Sequence, residues 1–195
     1  MELYRKGAEA NLYLGDGRLV KERVEKKYRL PMLDRRLRRQ RTRREAKNME
    51  RALKAGVRTP KVLRVDEKKY ALEMEFLGGE LVKDVFERGE KIDEISFEVG
   101  SMLRRLHDSK FVHNDLTTSN LILGEDGVYM IDFGLAYHTT RLEDKAMDLV
   151  VFKKSIMATH TSLMDEIWEN LLKGYKPDNE TLKRVETIEN RVRYK

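Results

Sequence analysis

Short apolar runs alternate with polar turns over roughly the first eighty residues, which is the pattern of β-strands. Asp16-Gly17 lies between two of these runs and is typical of a hairpin turn. A stretch after Lys21 then carries small and apolar residues at helical spacing and ends at Gly56, ahead of Pro60. The predicted strands of this part are residues 3–4, 11–14, 18–21, 62–65 and 70–76.

The second part of the chain has mostly helical periodicity. Apolar residues between Ile95 and Leu106 mark one face of an amphipathic helix. Two short apolar strands, 121–123 and 128–131, flank the turn at Asp126-Gly127, and helical spacing resumes beyond them. Strands therefore dominate the first part of the chain and helices the second.

The change from strands to helices falls at Gly78-Gly79. With 195 residues, the chain can bury two small lobes that share a cleft. We therefore predict a single α+β domain, 1–195, that is bilobal. A small, mostly β N-lobe spans about 1–77 and a truncated, mostly α C-lobe spans about 78–195.

Composition narrows the class of protein. The chain has no cysteine, which excludes disulfide scaffolds and cysteine-based zinc sites. Its net charge of +6 favours polyanionic partners. Neither a signal peptide nor an apolar run of membrane-spanning length is present, so we expect a cytoplasmic protein with no membrane association.

The most specific chemical pattern combines two motifs. Asp115 is followed five residues later by Asn120, and Asp132 precedes Phe133-Gly134 at the end of a predicted strand. Phosphoryl transfer from ATP requires metal ions on the phosphates and a group that orients the nucleophile. Asp132 and Asn120 carry the oxygen ligands that Mg²⁺ prefers, and Asp115 can accept a hydrogen bond from a hydroxyl or a water. Polar turns explain either motif alone, but both in this order match the protein-kinase signatures and predict a protein-kinase-like fold.

A kinase also requires a lysine on an early strand and a glutamate on the following helix. Lys21 ends the strand Leu19-Val20-Lys21 and would hold the α- and β-phosphates of ATP. Glu45 is its predicted ion-pair partner. Thr42 lies three residues before Glu45, which also fits a helix capping box, and Glu50 is the alternative partner.

The nucleotide loop is reduced to a single glycine, so fewer backbone N–H groups can approach the phosphates. Adenine is expected against the end of the strand at 73–77, with a methionine behind the pocket. The candidate nucleotide-binding residues of these two segments are Gly7, Ala8, Glu9, Ala10, Met74, Glu75 and Leu77.

Nearly the whole chain resembles the small atypical kinases of the KEOPS complex, also called the PRPK family. The motifs that carry the resemblance are Gly7-Ala8-Glu9-Ala10, Val20-Lys21, Arg43-Arg44-Glu45-Ala46, the segments 113–120 and 132–136, Glu143-Asp144-Lys145-Ala146, Asp148-Leu149 and the basic tail 191–195. Ordinary kinases carry a long activation segment ending in Ala-Pro-Glu, which this chain lacks. Asn114 departs from both groups, since ordinary kinases have arginine there and the family more commonly has glycine.

The resemblance implies an ATPase with serine/threonine autophosphorylation that supports threonylcarbamoyladenosine formation on tRNA. ATP with Mg²⁺, or Mn²⁺, would be its cofactors. Its implied partners are a sugar-kinase-like catalytic subunit and a small regulatory subunit. The chain itself offers tRNA a basic face, consisting of Arg35, Arg36, Arg39 and Arg43 together with the C-terminal tail. A solvated surface or an acidic protein partner would explain the same face.

Three other functions fit parts of the pattern. A RIO-type kinase of ribosome maturation shares the truncated lobe, but Asp132-Phe133-Gly134 weighs against it. An aminoglycoside- or choline-type kinase normally adds substrate-binding helices for which this chain has no room. A non-catalytic scaffold would not need Lys21, Asp115, Asn120 and Asp132 all in place.

Overall fold

The computed structural model describes residues 1–193, with side chains described as far as Arg191. Its first part is a five-stranded antiparallel sheet in the order β1-β2-β3-β5-β4. Asp16 and Gly17 both have positive φ, 52° and 69°, which is the hairpin turn that Asp-Gly predicts between β2 and β3. The strands are β1 (Glu2–Lys6), β2 (Ala10–Gly15), β3 (Arg18–Arg23), β4 (Val62–Asp66) and β5 (Ala71–Glu75).

One long helix, α1 (Pro31–Lys54), follows β3. Proline at its first turn costs no hydrogen bond, and Gly56 just beyond its end has a φ of 75°. Ala46, Met49 and Ala52 are buried on the face of α1 that turns toward the core. The helix contacts β4, β5 and the segment that follows Asp132, so it links the two parts of the molecule.

The second part is mostly helical. Its helices are α2 (Val82–Glu87), α3 (Ile92–Asp108), α4 (Leu142–Thr159), α5 (Met164–Tyr175) and α6 (Asn179–Arg193). Two small sheets accompany them, β6-β8-β9 and β10-β7. Their strands are β6 (Glu80–Leu81), β7 (Phe111–Val112), β8 (Leu121–Gly124), β9 (Gly127–Met130) and β10 (Tyr137–His138).

Helices α3 and α5 cross at backbone contact. A Cβ built on Gly100 would lie 2.0 Å from the carbonyl oxygen of Leu171, and one on Gly174 would lie 2.0 Å from that of Phe97. Only glycine permits this approach at either position. Together with α4, the pair encloses the core beneath the loop that carries Asp115.

The elements agree closely with the sequence pattern. All five predicted strands of the first part overlap β1–β5, and Tyr70 lies outside β5 because its φ of 55° makes it part of a turn. The two-residue strands β6, β7 and β10 are too short to show a period and were missed. The chain leaves β5 at Glu75 and enters β6 at Glu80, and the exact division into lobes at 77–78 stays a prediction. Among the described residues no helix is both long and apolar enough to cross a membrane.

Candidate active site

Lys21 lies between two carboxylates. Its Nζ donates to Glu45 Oε1 at 2.6 Å and to Asp132 Oδ1 at 3.0 Å. Glu45 comes from α1 and Asp132 from the segment after β9, so three predicted site residues meet from three separate elements. Lys21 is nearly buried, with 15% of its side chain exposed, and Asp132 faces the cleft with 46% exposed.

Arg23 provides a second cation for Glu45. Its Nη2 donates to Glu45 Oε2 at 2.5 Å, so each oxygen of this buried carboxylate holds one cation. Residues two apart on a strand face the same side, and this brings Arg23 to the side of Lys21. The spacing in the sequence indicates that Arg23 shares a strand face with Lys21, but not that it reaches Glu45.

The two alternatives for Glu45 are wrong. A capping box requires Thr42 at the start of a helix, yet α1 begins eleven residues earlier at Pro31. Thr42 instead donates within the molecule, to the carbonyl oxygens of Arg38 and Tyr70. Glu50 is exposed and does not pair with Lys21 in the described structure.

Charges in the cleft stabilise one another. Burial lowers the pKa of Lys21, but the carboxylates of Glu45 and Asp132 outweigh this and leave the pKa above its ordinary value. Burial raises the pKa of Asp132, and the Lys21 ammonium outweighs burial, so this pKa lies below its ordinary value. Both groups are therefore ionised at neutral pH.

Asp132 has a left-handed backbone, with a φ of 62°. Such a conformation is costly for a residue with a Cβ and is typical of functional positions. The next residue, Phe133, is fully buried and packs on the ring of His113, with ring centroids 4.8 Å apart. Phe133 thus anchors the segment while Asp132 turns outward into the cleft.

Asp115 and Asn120 lie on one loop and contact each other. The Asn120 amide nitrogen donates to the Asp115 carbonyl at 2.8 Å and approaches its carboxylate at 3.4 Å. Burial raises the pKa of Asp115; nearby His113 opposes this effect and Asp132 adds to it, so the net shift is upward. The carboxylate is therefore a better proton acceptor than an ordinary aspartate.

Asp148 on α4 fixes this loop from below. Its carboxylate accepts the backbone N–H of His113 at 2.7 Å and of Asn114 at 2.6 Å, and it contacts His107 Nε2 at 3.1 Å. The other ring nitrogen of His107 lies 2.9 Å from the Tyr175 hydroxyl. No spacing in the sequence indicates this anchoring role, because Asp148 lies 34 residues from Asn114 and 41 from His107.

The backbone explains the residue at position 114. Asn114 has a φ of 64°, in the left-handed region that glycine adopts freely and asparagine tolerates best among the other residues. Its N–H points at Asp148 in this conformation. The position therefore requires a residue that tolerates a left-handed backbone, which accounts for asparagine here.

The predicted nucleotide loop at 7–10 is held by basic residues. Lys26 donates to the Ala8 carbonyl at 2.5 Å, and Glu9 pairs with Arg41 at 3.0 Å and with Lys26 at 3.4 Å. A Cβ on Gly7 would lie 2.7 Å from the Ala10 carbonyl oxygen, so the turn requires glycine. The sequence did not indicate Lys26 or Arg41 as supports of the loop.

The predicted adenine-binding segment closes the cleft at the end of β5. Met74 is buried between Leu19 of β3 and Val62 of β4. The Glu75 N–H already donates to the Lys61 carbonyl at 2.9 Å, which leaves the Glu75 carbonyl for a ligand. Leu77, beyond the strand, is half-buried.

All four predicted tRNA-binding arginines line one shallow groove of about 460 Å³ on α1, which we call the arginine groove. Its lining residues are Met32, Arg35, Arg36, Arg39, Gln40 and Arg43. Glu67 pairs with two of these arginines, while Arg35 and Arg36 form no ion pair within the described part of the chain. In the basic tail Arg191 donates to Glu143 at 2.9 Å, and the side chains of 192–195 lie outside the described residues.

A metal ion would need ligands from the nucleotide as well as the protein. Within residues 1–193 no three His, Cys, Asp or Glu side chains are close enough to hold an ion by themselves. Magnesium in nucleotide sites is usually bound by one or two protein oxygens plus phosphates. The half-exposed Asp132 carboxylate fits that role, as does the Asn120 amide oxygen, since the amide nitrogen is the atom that bonds Asp115.

Comparisons with known proteins identify relatives along nearly the whole chain. The sequence model of the RIO domain matches residues 17–152. The KEOPS complex subunit Bud32 of Pyrococcus abyssi is 38% identical over 213 residues, which cover 100% of this chain and 97% of that protein. A probable bifunctional tRNA threonylcarbamoyladenosine biosynthesis protein of Methanocaldococcus jannaschii is 40% identical over 98% of this chain, which spans only 37% of that longer protein.

A solved structure supports the fold. The Rio2 kinase–ADP/Mg²⁺-phosphoaspartate complex from Chaetomium thermophilum matches 100% of this chain and 72% of its own, with a TM-score of 0.66 at 11% identity. At that identity the likeness shows the fold alone. It confirms the α+β, bilobal, protein-kinase-like fold that the sequence predicted.

Proposed function

This chain belongs to the RIO domain family and to the group of the KEOPS complex subunit Bud32, and from this membership we propose that it is an ATP-dependent phosphotransferase and ATPase supporting threonylcarbamoyladenosine formation on tRNA. The membership confirms the resemblance seen in the motifs. The observation that carries the proposal is the meeting of Lys21, Glu45 and Asp132 in one cleft. A scaffold would have no need to hold two ionised groups of opposite sign there.

Each residue has a defined part in the reaction. Lys21, held by Glu45, would bind the α- and β-phosphates, and Asp132 and Asn120 would hold Mg²⁺ or Mn²⁺. The metal, when bound, neutralises charge on the phosphates. Asp115, with its raised pKa, orients the attacking hydroxyl or water.

Adenine and the phosphates have separate supports. Adenine lies against Met74 and hydrogen-bonds the backbone of Glu75 and Leu77. The loop at 7–10 covers the phosphates, and its few backbone donors are supplemented by Lys26, whose ammonium already lies on the loop. Phosphate goes to water or to serine and threonine hydroxyls of the protein itself.

The long relatives suggest the partner. This chain corresponds to little more than a third of a protein named bifunctional, and the remainder would supply the second function. We propose that a homologue of that remainder, a sugar-kinase-like catalytic subunit, works with this chain, whether joined to it or separate. A small regulatory subunit would complete the assembly, in the cytoplasm.

The RIO domain model matches residues 17–152, a range that includes Asp132-Phe133-Gly134. The motif therefore does not exclude the chain from the RIO domain family. The named relatives along nearly the full chain favour the KEOPS role over ribosome maturation.

The decisive experiment follows γ-labelled ATP with Mg²⁺, scoring free phosphate and protein-bound label separately. Lys21→Ala and Asp132→Ala should each lower turnover by at least about a hundredfold, as expected when a charged side chain that binds the phosphates or their metal is lost. Asp126→Ala, in an exposed turn, is the matched control and should keep wild-type turnover. Wild-type turnover in the Asp132→Ala protein would refute the assigned site, and no turnover by wild type with tRNA and partner subunits would support a scaffold.

The arginine groove is proposed to bind tRNA, since its arginines outnumber nearby acids. Replacing Arg36, Arg39 and Arg43 by Ala should weaken tRNA binding and reduce the salt slope by about 2–3, roughly one for each lost phosphate contact. Arg88→Ala with Arg104→Ala is the control, because both arginines are exposed on the other lobe. Unchanged tRNA binding in the triple variant would assign the groove to an acidic protein partner.

A further inference from the structure

Asn48 joins α1 to the segment that follows Asp132. It lies on α1 one turn after Glu45 and is 3% exposed. Its amide nitrogen donates to the Phe133 carbonyl at 2.9 Å and to the Ala136 carbonyl at 2.8 Å. Since both partners can only accept, the NH₂ group must face them, and this fixes the orientation of the amide.

The two hydrogen bonds complete a closed ring of contacts around the cleft. Asp132 bonds Lys21, Lys21 bonds Glu45, and Glu45 lies three residues before Asn48 on one helix. Residues three apart share a helix face, so Glu45 and Asn48 both turn toward the cleft. The hydrogen bond from Asn48 to Phe133, the neighbour of Asp132, closes the ring.

The ring holds a backbone that would otherwise relax. Asp132 is in the left-handed region, and residues in such a conformation persist only where their surroundings hold them. Asn48 contacts both ends of the short turn from Phe133 to Ala136, so the turn cannot swing away without breaking both bonds. Ordinary kinases use a long activation segment after this point, which the sequence lacks.

We propose that Asn48 is a positioning residue that holds the Asp132 carboxylate in the orientation needed to bind the metal. It thereby couples the position of α1 to the metal site without phosphorylation of an activation segment. This role rests on the proposed function. Asn48 reaches neither nucleotide nor metal itself and acts through the backbone on either side of the turn. The sequence motifs did not single it out.

The test compares Asn48→Asp and Asn48→Leu with wild type. Aspartate keeps the shape of the asparagine side chain but places carboxylate oxygens against the carbonyls of Phe133 and Ala136. Leucine has a similar volume but no hydrogen-bond donor. Thr42→Val is the matched control, because Thr42 is an equally buried polar residue of α1 that bonds away from the cleft. The dissociation constant of ADP is measured by calorimetry in saturating MgCl₂ and again in EDTA, and amide hydrogen exchange is followed at 131–136 without ligand.

We expect the gain in ADP affinity due to Mg²⁺ to fall about tenfold in both Asn48 variants, equal to about 1.4 kcal/mol. Affinity in EDTA should stay within about twofold, because Lys21 and the adenine site are intact. Exchange at 131–136 should accelerate in both variants and stay unchanged in Thr42→Val. The proposal would be overturned if the Asn48 variants lost only thermal stability. In that case their gain in ADP affinity due to Mg²⁺ and their amide exchange at 131–136 would equal those of wild type.

Failure of the proposed function would look different. In that case wild type itself would show no ADP binding that depends on Mg²⁺. The exchange measurement needs no ligand and still decides whether Asn48 holds the segment: unchanged exchange in Asn48→Asp and Asn48→Leu would refute that hold. If one variant fails to fold, the other carries the comparison.

Discussion

The bonds from Asp148 lead to a quantitative prediction for Asp148→Asn. Asp148 is 1% exposed, and its two oxygens accept the N–H groups of His113 and Asn114 and contact His107. Asparagine has the same shape but only one acceptor oxygen. At least one of the three donors must therefore face an NH₂ group.

The magnitude follows from these bonds. A buried donor left without an acceptor costs about 1–3 kcal/mol, and the bonds that survive lose their charge assistance, which is about half their strength. We expect a loss of about 2–5 kcal/mol in the free energy of unfolding. For a domain of this size the midpoint of thermal unfolding should fall by roughly 5–15 °C.

Activity should fall further than stability explains. The N–H groups that Asp148 accepts belong to the two residues before Asp115, so the variant shifts the loop that orients the nucleophile. The assay combines urea unfolding, followed by circular dichroism, with ATP turnover at a temperature where the variant is fully folded. Asp144→Asn is the control, since Asp144 lies one turn earlier on α4 and accepts the Thr139 hydroxyl but no backbone N–H of the Asp115 loop in the described structure.

Asp144→Asn should lose about 0.5–1.5 kcal/mol in the free energy of unfolding and keep the ATP turnover of wild type. Equal losses of stability in Asp148→Asn and Asp144→Asn would refute the reasoning, because the number and charge of the bonds would then not matter. Wild-type turnover in folded Asp148→Asn would show that the loop does not depend on this anchor.

Two further predictions concern backbone shape and pH. Asn114→Gly should keep the free energy of unfolding within about 1 kcal/mol of wild type, as measured by urea unfolding. Asn114→Val should lose about 2 kcal/mol or more, because a β-branched residue resists positive φ. Equal stability of the two variants would contradict the left-handed conformation of Asn114. Burial raises the pKa of Asp34, but hydrogen bonds from Arg38 and the Lys26 N–H outweigh it and leave the pKa below 3.8. The free energy of unfolding of wild type minus that of Asp34→Asn should therefore be constant above about pH 5 and decrease as the pH falls below 3.8. A difference that stays the same at every pH would show that ionisation of Asp34 is not its source.

Local sequence pattern was enough to predict most of the fold and to propose the main site residues. The hairpin at Asp16-Gly17 depends only on neighbouring residues, as does the helix face from Ile95 to Leu106, so period and turn chemistry predicted both. Motifs of fixed spacing likewise identified Asp115 and Asn120, which lie on one loop. Lys21 followed from its position on an early strand, although β3 continues beyond it to Arg23.

Other parts of the site depend on contacts between distant elements. Arg23 reaches Glu45 across 22 residues, and Asn48 reaches Phe133 across 85, once α1 has packed against the segment after β9. Whether such side chains meet depends on the rotation of a helix and the register of a strand, which no local spacing encodes. Asn114 shows the same limit, since only the backbone angle explains its identity.

The chemical groups of the cleft could be predicted because they follow motifs with short, fixed spacing. How these groups are held depends on tertiary contacts: Glu45 is shared between two cations, Asp148 lies beneath the loop, and Asn48 lies behind Asp132. Such contacts are not encoded locally, because a buried polar group requires a partner within hydrogen-bond distance but at no particular distance along the chain. Packing of α1 and α4 around the cleft selects those partners.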